Sequence, residues 1–263
     1  MYNSNETNRI KTLIKNNMLK TLEEYEASGG CKNMFEKPVI AYHYAKDNLF
    51  DTLYIKGMCE HPQKIYRPGN TLITYFLPYS SGISESNKEG SAPSPEWISA
   101  YAESTKLIMA LNRSIRNILE SHGRLVSCLN TPIDWNFEKA HENWSFKIAA
   151  YLSGMGCFST AGSFITEKGF AGRFSGVITD GLLFDGKPSD ISPAEAEKIT
   201  EKIFNDSYRQ NYSHECIAAC PCGAVSKEGI DRFKCQEYCK KINKYTPSPD
   251  VCGKCFFFAP EHI

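Results

Sequence analysis

The spacing of apolar residues in the first half of the chain predicts two long helices and two strands. Apolar positions recur every three or four residues over 2–27, and the same pattern runs from Pro95 to about Ser121, with Gly123 as its stop. Residues 71–77 are rich in β-branched and aromatic side chains and predict a buried strand. Residues 124–130 predict a second strand. Strand, long helix and strand in this order indicate α/β layers.

The intervening and following segments give weaker patterns. Three prolines divide residues 37–68 into short pieces and loops, and residues 80–95, rich in Ser, Gly and Pro, predict a surface loop. Further on, the sequence predicts short elements: a helix over 145–153, strands over 163–166 and 173–180, and a helix over 193–205 capped by Ser192. The last of these helices leads into a cysteine-rich tail.

Glycine is concentrated in one part of the chain. The concentration exceeds what ordinary packing requires, and it indicates that backbone lies close to something bulky. The glycines are Gly154, Gly156, Gly162, Gly169, Gly172 and Gly176.

Composition restricts the class of protein. The chain has 263 residues, 41% of them hydrophobic, with 30 basic and 30 acidic side chains. A formal net charge of zero gives no general attraction to nucleic acid or to a membrane. The polar N-terminus lacks the apolar core of a secretory signal, and no apolar run has membrane-spanning length. We therefore expect a cytoplasmic protein that does not bind a membrane.

Cysteine is the most informative residue type. Seven of the eleven cysteines fall within the last 48 residues: Cys216, Cys220, Cys222, Cys235, Cys239, Cys252 and Cys255. An odd total and a clustered distribution favour metal ligation in a reducing compartment over disulfides. Cys31, Cys59 and Cys128 are isolated in the sequence, and we interpret them as buried structural thiols.

The spacing of the tail cysteines resembles a two-cluster ferredoxin segment that has lost one cluster. Such a segment has two runs of four cysteines, each ending in Cys-Pro, and the last thiolate of each run serves the cluster of the other run. Counting from Cys220-Pro221 and from the Cys252/Cys255 pair, the missing thiolates all belong to one cluster. The predicted ligands of one 4Fe–4S cluster are Cys220, Cys235, Cys252 and Cys255.

Other interpretations of the tail remain open. Cys-x-x-Cys pairs also bind structural zinc. Cys216 would be left over from the lost cluster, and Cys222 and Cys239 are spare thiols or alternative ligands. We expect two domains, one over residues 1–205 and an iron–sulfur domain over residues 206–263.

Several motifs, taken in order, resemble the epoxyqueuosine reductases and, more distantly, the reductive dehalogenases. The motifs are WSFKIAAYLSGMG at 144–156, FITEKG at 164–169, Gly172-Arg173, VITD at 177–180, CPCGAV at 220–225 and IDRFKC at 230–235. The resemblance covers roughly residues 60–260 and is strongest from residue 144 onward.

The resemblance implies a fold, cofactors and binding residues. It implies an α/β (α+β) fold, in which a nitroreductase-like domain of sheet and helices holds cobalamin and a small C-terminal ferredoxin-like module holds the iron–sulfur cluster. Carried over by position, the corrinoid-contacting residues are Ser163, Thr166, Arg173 and Thr179. Each of these side chains has an alternative role as an ordinary strand or turn residue with local hydrogen bonds.

Two departures separate the chain from the family that it resembles. One cluster is missing, and Ala140 stands where the family has a proton-donating aspartate. Asp134, Glu138 and Glu142 lie nearby in an irregular acidic segment, and any of them could supply the proton if burial raised its pKa. The alternative for each is a solvated loop carboxylate.

The resulting prediction is an oxidoreductase. An external electron donor such as a ferredoxin or flavodoxin would reduce the cluster, the cluster would reduce cobalamin, and cobalamin would reduce a small-molecule or modified-tRNA substrate. One alternative is a corrinoid-binding or corrinoid-processing protein without an organic substrate, which the missing aspartate and cluster favour. Another is a flavin-dependent reductase, because nitroreductase-like folds also bind FMN.

Overall fold

The structure is a computed structural model that describes residues 4–29, 31–129, 135–136, 141–142, 144–159, 161–184, 191–208, 212–242 and 251–258. The helices are α1 (Ser4–Ala27), α2 (Leu49–Ile55), α3 (Pro62–Ile65), α4 (Ser81–Ser86), α5 (Pro95–Ser121), α6 (Phe146–Leu152), α7 (Pro193–Tyr208), α8 (His214–Ala218) and α9 (Arg232–Ile242), followed by a 3-10 helix (Lys254–Phe258). The strands are β1 (Val39–Tyr44), β2 (Thr71–Pro78), β3 (Val126–Cys128), β4 (Trp135–Asn136), β5 (His141–Glu142), β6 (Gly156–Phe158), β7 (Phe164–Thr166), β8 (Gly172–Thr179), β9 (Val225–Ser226) and β10 (Gly229–Ile230). This mixture of helix and sheet confirms the predicted α/β fold class.

The central sheet has the strand order β1-β2-β8-β3, and every neighbouring pair is antiparallel. β2 and β8 pair along their whole length, from Thr71 opposite Thr179 to Pro78 opposite Gly172. Because β8 lies between β2 and β3, those two strands are parallel to each other, and α5 makes the crossover that such a pair requires. All eight residues of β2 are buried. Both faces of this strand are therefore covered.

Two apolar clusters cover the two faces of the sheet. Ile73 and Leu77 of β2 pack in one cluster with residues of α1 and α5, including Ile14 and Leu111. Leu72 and Phe76 of β2 belong to the other cluster, together with side chains of α2 and α6 such as Phe50. The period-2 alternation of a strand thus feeds both layers.

The strongest sequence patterns are confirmed. α1, β2 and α5 lie where the apolar spacing predicts them. The Ser94 hydroxyl caps α5 by accepting a hydrogen bond from the Trp97 amide at 3.0 Å, and Gly123 follows the helix with a positive φ of 68°. The Ser145 side chain caps α6 in the same way, accepting from the Ile148 amide.

The weaker patterns are partly wrong. Residues 39–44, expected within loops, form β1, which pairs with β2 at the edge of the sheet. Nearly all of β1 is half-buried, so its two faces show no alternation that the sequence could reveal. The predicted loop over 80–95 contains α4, because Ile83 and Asn87 are buried there. The strand predicted over 124–130 is limited to Val126–Cys128.

The predicted boundary between residues 205 and 206 falls inside a helix. α7 runs without interruption from Pro193 to Tyr208. Beyond it, the described residues form α8, the β9–β10 hairpin, α9 and the 3-10 helix. The division into two domains stays a prediction. Across the described ranges, no helix combines the length and the apolar character needed to cross a membrane.

Most of the clustered glycines serve the backbone itself. A Cβ on Gly176 would lie 2.3 Å from the Ile73 carbonyl oxygen across the β2–β8 pair, and one on Gly156 would lie 1.8 Å from the Ile165 oxygen across β6–β7. Gly154 and Gly169 occupy turns with φ of 71° and 79°. Strand contact and turn geometry thus account for four of the six glycines.

We expect Gly176→Ala to lower the free energy of unfolding by about 1–3 kcal/mol, because the added methyl group forces β2 and β8 apart. The matched control is Gly82→Ala in α4, where a Cβ meets nothing within 4 Å. This control should leave the free energy unchanged or raise it slightly, since alanine favours helix. Urea unfolding followed by circular dichroism measures both variants. Equal stability of the two variants would contradict the close approach at Gly176.

Candidate functional site

A cavity of about 630 Å³ reaches from the central sheet to the cysteine-rich tail. Its volume lies within the range of about 300–1,000 Å³ that is usual for ligand and cofactor sites. Three kinds of side chain line it: aromatic rings, cations and thiols. The cavity is therefore a candidate cofactor site with two chemically different ends.

Six thiols line the cavity: Cys220, Cys222, Cys235, Cys239, Cys252 and Cys255. Cys235 and Cys239 lie one turn apart on α9, while Cys252 and Cys255 lie around the start of the 3-10 helix. The four cysteines predicted as ligands are all among the six, so the fold brings them to one cavity. Cys216 is not in this lining; it is fully buried in an apolar cluster with Tyr212 and Val225.

The thiols lie close enough to influence one another. The Sγ atoms of Cys220 and Cys222 are 3.8 Å apart. Burial, together with the nearby Cys239 and Cys220, raises the pKa of Cys252 to about 12. A hydrogen bond with the Cys239 side chain, and to a lesser extent burial, raises the pKa of Cys235. Several thiolates can therefore coexist here only with a positive charge that offsets their repulsion.

The thiols do not form a compact site for a single ion. Across the residues that the structure describes, no three His, Cys, Asp or Glu side chains form a group that could hold one metal ion. None of the eleven cysteines, which lie within those residues, forms a disulfide bond. The predicted structural thiols Cys31 and Cys59 are buried elsewhere, and Cys128 is half-buried beside Arg116.

The loop that carries Cys252 is fastened to the region of α4 and α5. Trp97 Nε1 donates a hydrogen bond to the Val251 carbonyl at 2.5 Å, and Asn87 Nδ2 donates to the Cys252 carbonyl at 3.0 Å. The ammonium group of Lys254 donates to the Glu89 carbonyl. These three bonds anchor the loop to the first turn of α5 and to the segment between α4 and α5.

Gly253 allows the close contact of this loop with α5. Its φ is +66°, and a Cβ there would lie 2.7 Å from Cζ2 of Trp97. A side chain at this position would meet both backbone strain and an indole ring. The glycine between Cys252 and Cys255 therefore leaves room for the Trp97 indole.

Positive side chains surround the cavity. Lys147, Arg173, Arg232 and Lys254 line it, and no Asp or Glu is present among the described lining residues. The Arg173 guanidinium lies 3.9 Å from the centre of the Tyr101 ring, a cation–π contact that holds it in place. Burial lowers the pKa of Lys254. This distribution favours a bound group that carries negative charge.

The four predicted corrinoid-binding residues fall into two pairs. Ser163 and Arg173 line the cavity. Thr166 and Thr179 are not among the lining residues, and their hydroxyls are engaged locally: Thr166 donates to the Gly169 carbonyl and Thr179 to the Leu125 carbonyl, both at 2.9 Å. These bonds are of the kind that the local alternative expects, and the corrinoid assignment of the four residues stays a prediction. Ser163 also has a local partner, since its Oγ lies 2.6 Å from Oγ of Ser159.

The three predicted proton donors lie at the limit of what the structure describes. Asp134 and Glu138 lie outside the described residues. Glu142 is described only by its backbone, which pairs with that of Trp135 where β4 and β5 run antiparallel. Their assignment stays a prediction.

Two buried donors in the cavity wall could not be found from the sequence. Trp144 is 2% exposed and Gln236 is 3% exposed, and both line the cavity. Trp144 Nε1 and Gln236 Nε2 are buried without a hydrogen-bond partner within the described part of the chain. Buried donors are nearly always paired, so these two indicate that a bound group supplies acceptors.

Of the six clustered glycines, Gly162 and Gly172 also line the wall of the cavity.

Comparison with known proteins gives distant structural relatives. No protein-family model matches the sequence, and no curated protein matches it. Epoxyqueuosine reductase from Bacillus subtilis is similar at 16% identity with a TM-score of 0.47, covering 92% of this chain and 64% of its own. The enzyme from Streptococcus thermophilus has the same coverage at 15% identity and a TM-score of 0.46.

A third similar structure is an epoxyqueuosine reductase with an epoxyqueuosine-modified tRNA stem loop. It is 14% identical with a TM-score of 0.44, covering 92% of this chain and 70% of its own. The three relatives bear the name of the family that the sequence motifs resemble. This chain spans about 64% of the length of the first two. A likeness of this extent does not transfer their activity to this chain.

Proposed function

We propose that this chain is a reductase that uses one 4Fe–4S cluster and a corrinoid bound in the adjoining part of the same cavity. The observation that carries this proposal is the composition of the cavity wall. Six thiols share one cavity with an aromatic wall and four cations, and no carboxylate is present among the described lining residues. Thiols, aromatic rings and cations in one cavity suit a redox relay.

The thiols suit an iron–sulfur cluster. Cubane clusters are held by four cysteine thiolates, and the set Cys220, Cys235, Cys252 and Cys255 supplies that number from three segments of the chain. Cys222 and Cys239 are then neighbouring thiols outside the set. Thiolate ligands and sulfides give the bound group negative charge, which Arg232 and Lys254 offset from the cavity wall. When bound, such a cluster accepts and releases single electrons.

The other part of the cavity suits a large, partly apolar group with hydrogen-bond acceptors. Trp144 Nε1 offers a buried donor, and Phe158, Phe164 and Phe174 supply an apolar wall that excludes water. Arg173 is held against Tyr101 and extends the donor set. A corrinoid, which has amide side chains and a phosphate, fits these residues, and when reduced it supplies nucleophilic cobalt chemistry.

The chain's own residues divide the work in this proposal. Residues 1–205 form the corrinoid-binding part and residues 206–263 the iron–sulfur part, with the Trp97–Val251 hydrogen bond joining them at the cavity. Asp134, Glu138 and Glu142 are the predicted proton donors. The substrate is an electrophilic small molecule or a modified tRNA, as the sequence motifs imply, and an external carrier such as a ferredoxin or flavodoxin supplies the electrons.

A flavin-dependent reductase is the second candidate. The volume of the cavity and its cations favour it, because FMN is compact and carries a phosphate. The visible spectrum of the loaded protein separates the two cofactors, since corrin and flavin absorb differently. If the flavin spectrum persists in the presence of excess cobalamin, flavin would replace the corrinoid in this proposal.

Substitution of one proposed cluster ligand should remove the cluster. We expect Cys252→Ser, purified without oxygen, to lose the broad visible absorbance and most of the bound iron and sulfide, because a hydroxyl is a poor replacement for a thiolate ligand. Cys128→Ser is the control, since this thiol lies in β3 and is not a lining residue of the cavity. Iron, zinc and sulfide analysis of both variants measures the effect. Zinc without sulfide in the wild-type protein would contradict the cluster.

Arg173, one of the four cations that line the cavity, should contribute to cofactor affinity. We expect Arg173→Leu to weaken cobalamin binding about tenfold, which corresponds to the loss of one hydrogen bond to a charged or strongly polar group. The control is Arg113→Leu, on the exposed face of α5. Titration with hydroxocobalamin under anaerobic conditions, followed by absorbance, measures both. Equal affinities for the two variants would place the corrinoid away from Arg173.

Turnover distinguishes a reductase from a corrinoid-handling protein. Wild-type protein loaded with iron, sulfide and cobalamin is incubated with a chemical reductant and tRNA that contains epoxyqueuosine, and the nucleosides are analysed by mass spectrometry. Formation of the reduced nucleoside supports the reductase and identifies its substrate. Full cobalamin loading without turnover of this tRNA or of small electrophiles would favour the corrinoid-handling alternative.

A further inference from the structure

A buried amide nitrogen on α9 belongs to a side chain that lines the same cavity as the thiols, and it has no hydrogen-bond partner within the described residues. Gln236 lines the cavity, and it follows Cys235 directly and precedes Cys239 by three positions on the same helix. The side chain is 3% exposed, and its Nε2 makes no hydrogen bond within the described residues. Gln236 therefore offers an unused donor in the part of the wall that contains a proposed cluster ligand.

Such a donor is expected to have an acceptor in the functional state. A buried polar group that lacks its hydrogen bond costs about 1–3 kcal/mol. The charged side chains that line the cavity are cations, which donate and do not accept, and no carboxylate is present among the described lining residues. The thiols of Cys235, Cys239 and Cys252 line the same cavity and pack in one cluster. A bound group with exposed sulfur would satisfy the amide.

We propose that Gln236 Nε2 donates a hydrogen bond to a sulfur of the cluster held at Cys235 and thereby raises the reduction potential of that cluster. This inference rests on the proposed function, because it requires a cluster at these thiols. Reduction adds negative charge to the cluster, so a hydrogen-bond donor stabilises the reduced state more than the oxidised state. Gln236 acts through the cluster and is a positioning and tuning residue.

The position of the amide in the chain supports this role. Gln236 and Cys235 are consecutive residues of one helix, so the amide and the proposed ligand are held by the same rigid backbone. Cys239 and Cys252, which pack in one apolar cluster with Tyr101, cover the same end of the cavity. A donor fixed in this way suits one lasting acceptor better than a passing substrate.

The direct test is the midpoint potential of Gln236→Met, which keeps the length of the side chain and removes the donor. In the cluster-loaded variant, we expect the ratio of reduced to oxidised cluster at a fixed ambient potential to fall about tenfold, which is about 59 mV for a one-electron couple. The control is Phe233→Leu on the same helix, at a residue that is 52% exposed and not among the lining residues. Redox titration followed by electron paramagnetic resonance measures both variants and the wild type.

Two further measurements separate tuning from an ordinary structural role. After exchange into deuterated water, pulsed electron paramagnetic resonance of the reduced cluster should lose one exchangeable coupling in Gln236→Met. In the cluster-free protein, the same substitution should leave the urea midpoint unchanged or raise it, because it replaces an unpaired buried amide by an apolar group. Phe233→Leu should keep the coupling.

The possible results have distinct meanings. A fully loaded Gln236→Met protein with the wild-type potential and coupling would overturn this inference and leave the cluster in place. A lower urea midpoint for the cluster-free variant would assign the amide to the protein's own packing and would also overturn it. Wild-type protein that assembles no cluster would overturn the proposed function itself, and the inference with it.

Discussion

The hydrogen bond from the Trp97 indole to the Val251 carbonyl is the contact on which the arrangement of the site depends. It joins the first turn of α5, one of the two long helices that cover the sheet, to the loop that carries Cys252. Trp97 also packs edge-on against Tyr79, which follows β2 and forms an isolated β-bridge with Phe35. A displacement of this indole would therefore move the thiols relative to the sheet.

Charge provides the second constraint. Thiols that are buried together raise one another's pKa and favour the neutral form, as Cys235 and Cys252 show. The same cavity is lined by cations, and one of them, Lys254, lies between two of the thiols in the sequence. Thiolates repel one another, and the cations of the same wall attract them. The arrangement is stable when the thiolates are ligands of a bound group. The unpaired donors on Trp144 and Gln236 lead to the same conclusion from hydrogen bonding.

The outcome for individual residues shows how far sequence patterns extend. Long amphipathic patterns and a strongly apolar strand are local properties, so α1, α5 and β2 could be predicted. β1 could not, because it is half-buried at the edge of the sheet and its sequence has no alternation. The concentration of glycine from 154 to 176 predicts backbone close to one bulky group, yet the structure assigns most of these glycines to turns and strand contacts. Their composition gave no information on which backbone each one approaches.

The candidate site likewise has features that the sequence could predict and features that depend on tertiary contacts. The spacing of Cys220, Cys235, Cys252 and Cys255 was sufficient to group these four thiols, because ligand spacing is written in the chain itself. Which other side chains share their cavity depends on contacts between residues far apart in sequence, such as Arg173 with Tyr101 and Asn87 with Cys252. Whether a hydroxyl or an amide nitrogen has a hydrogen-bond partner also depends on its neighbours in space: Thr166 and Thr179 are bonded to nearby carbonyls, and Nε2 of Gln236 has no partner within the described residues. The sequence by itself determined the two long helices, the central strand and the grouping of the tail thiols, and the tertiary structure decided burial, charge and hydrogen-bond partners, because those are properties of packed neighbours.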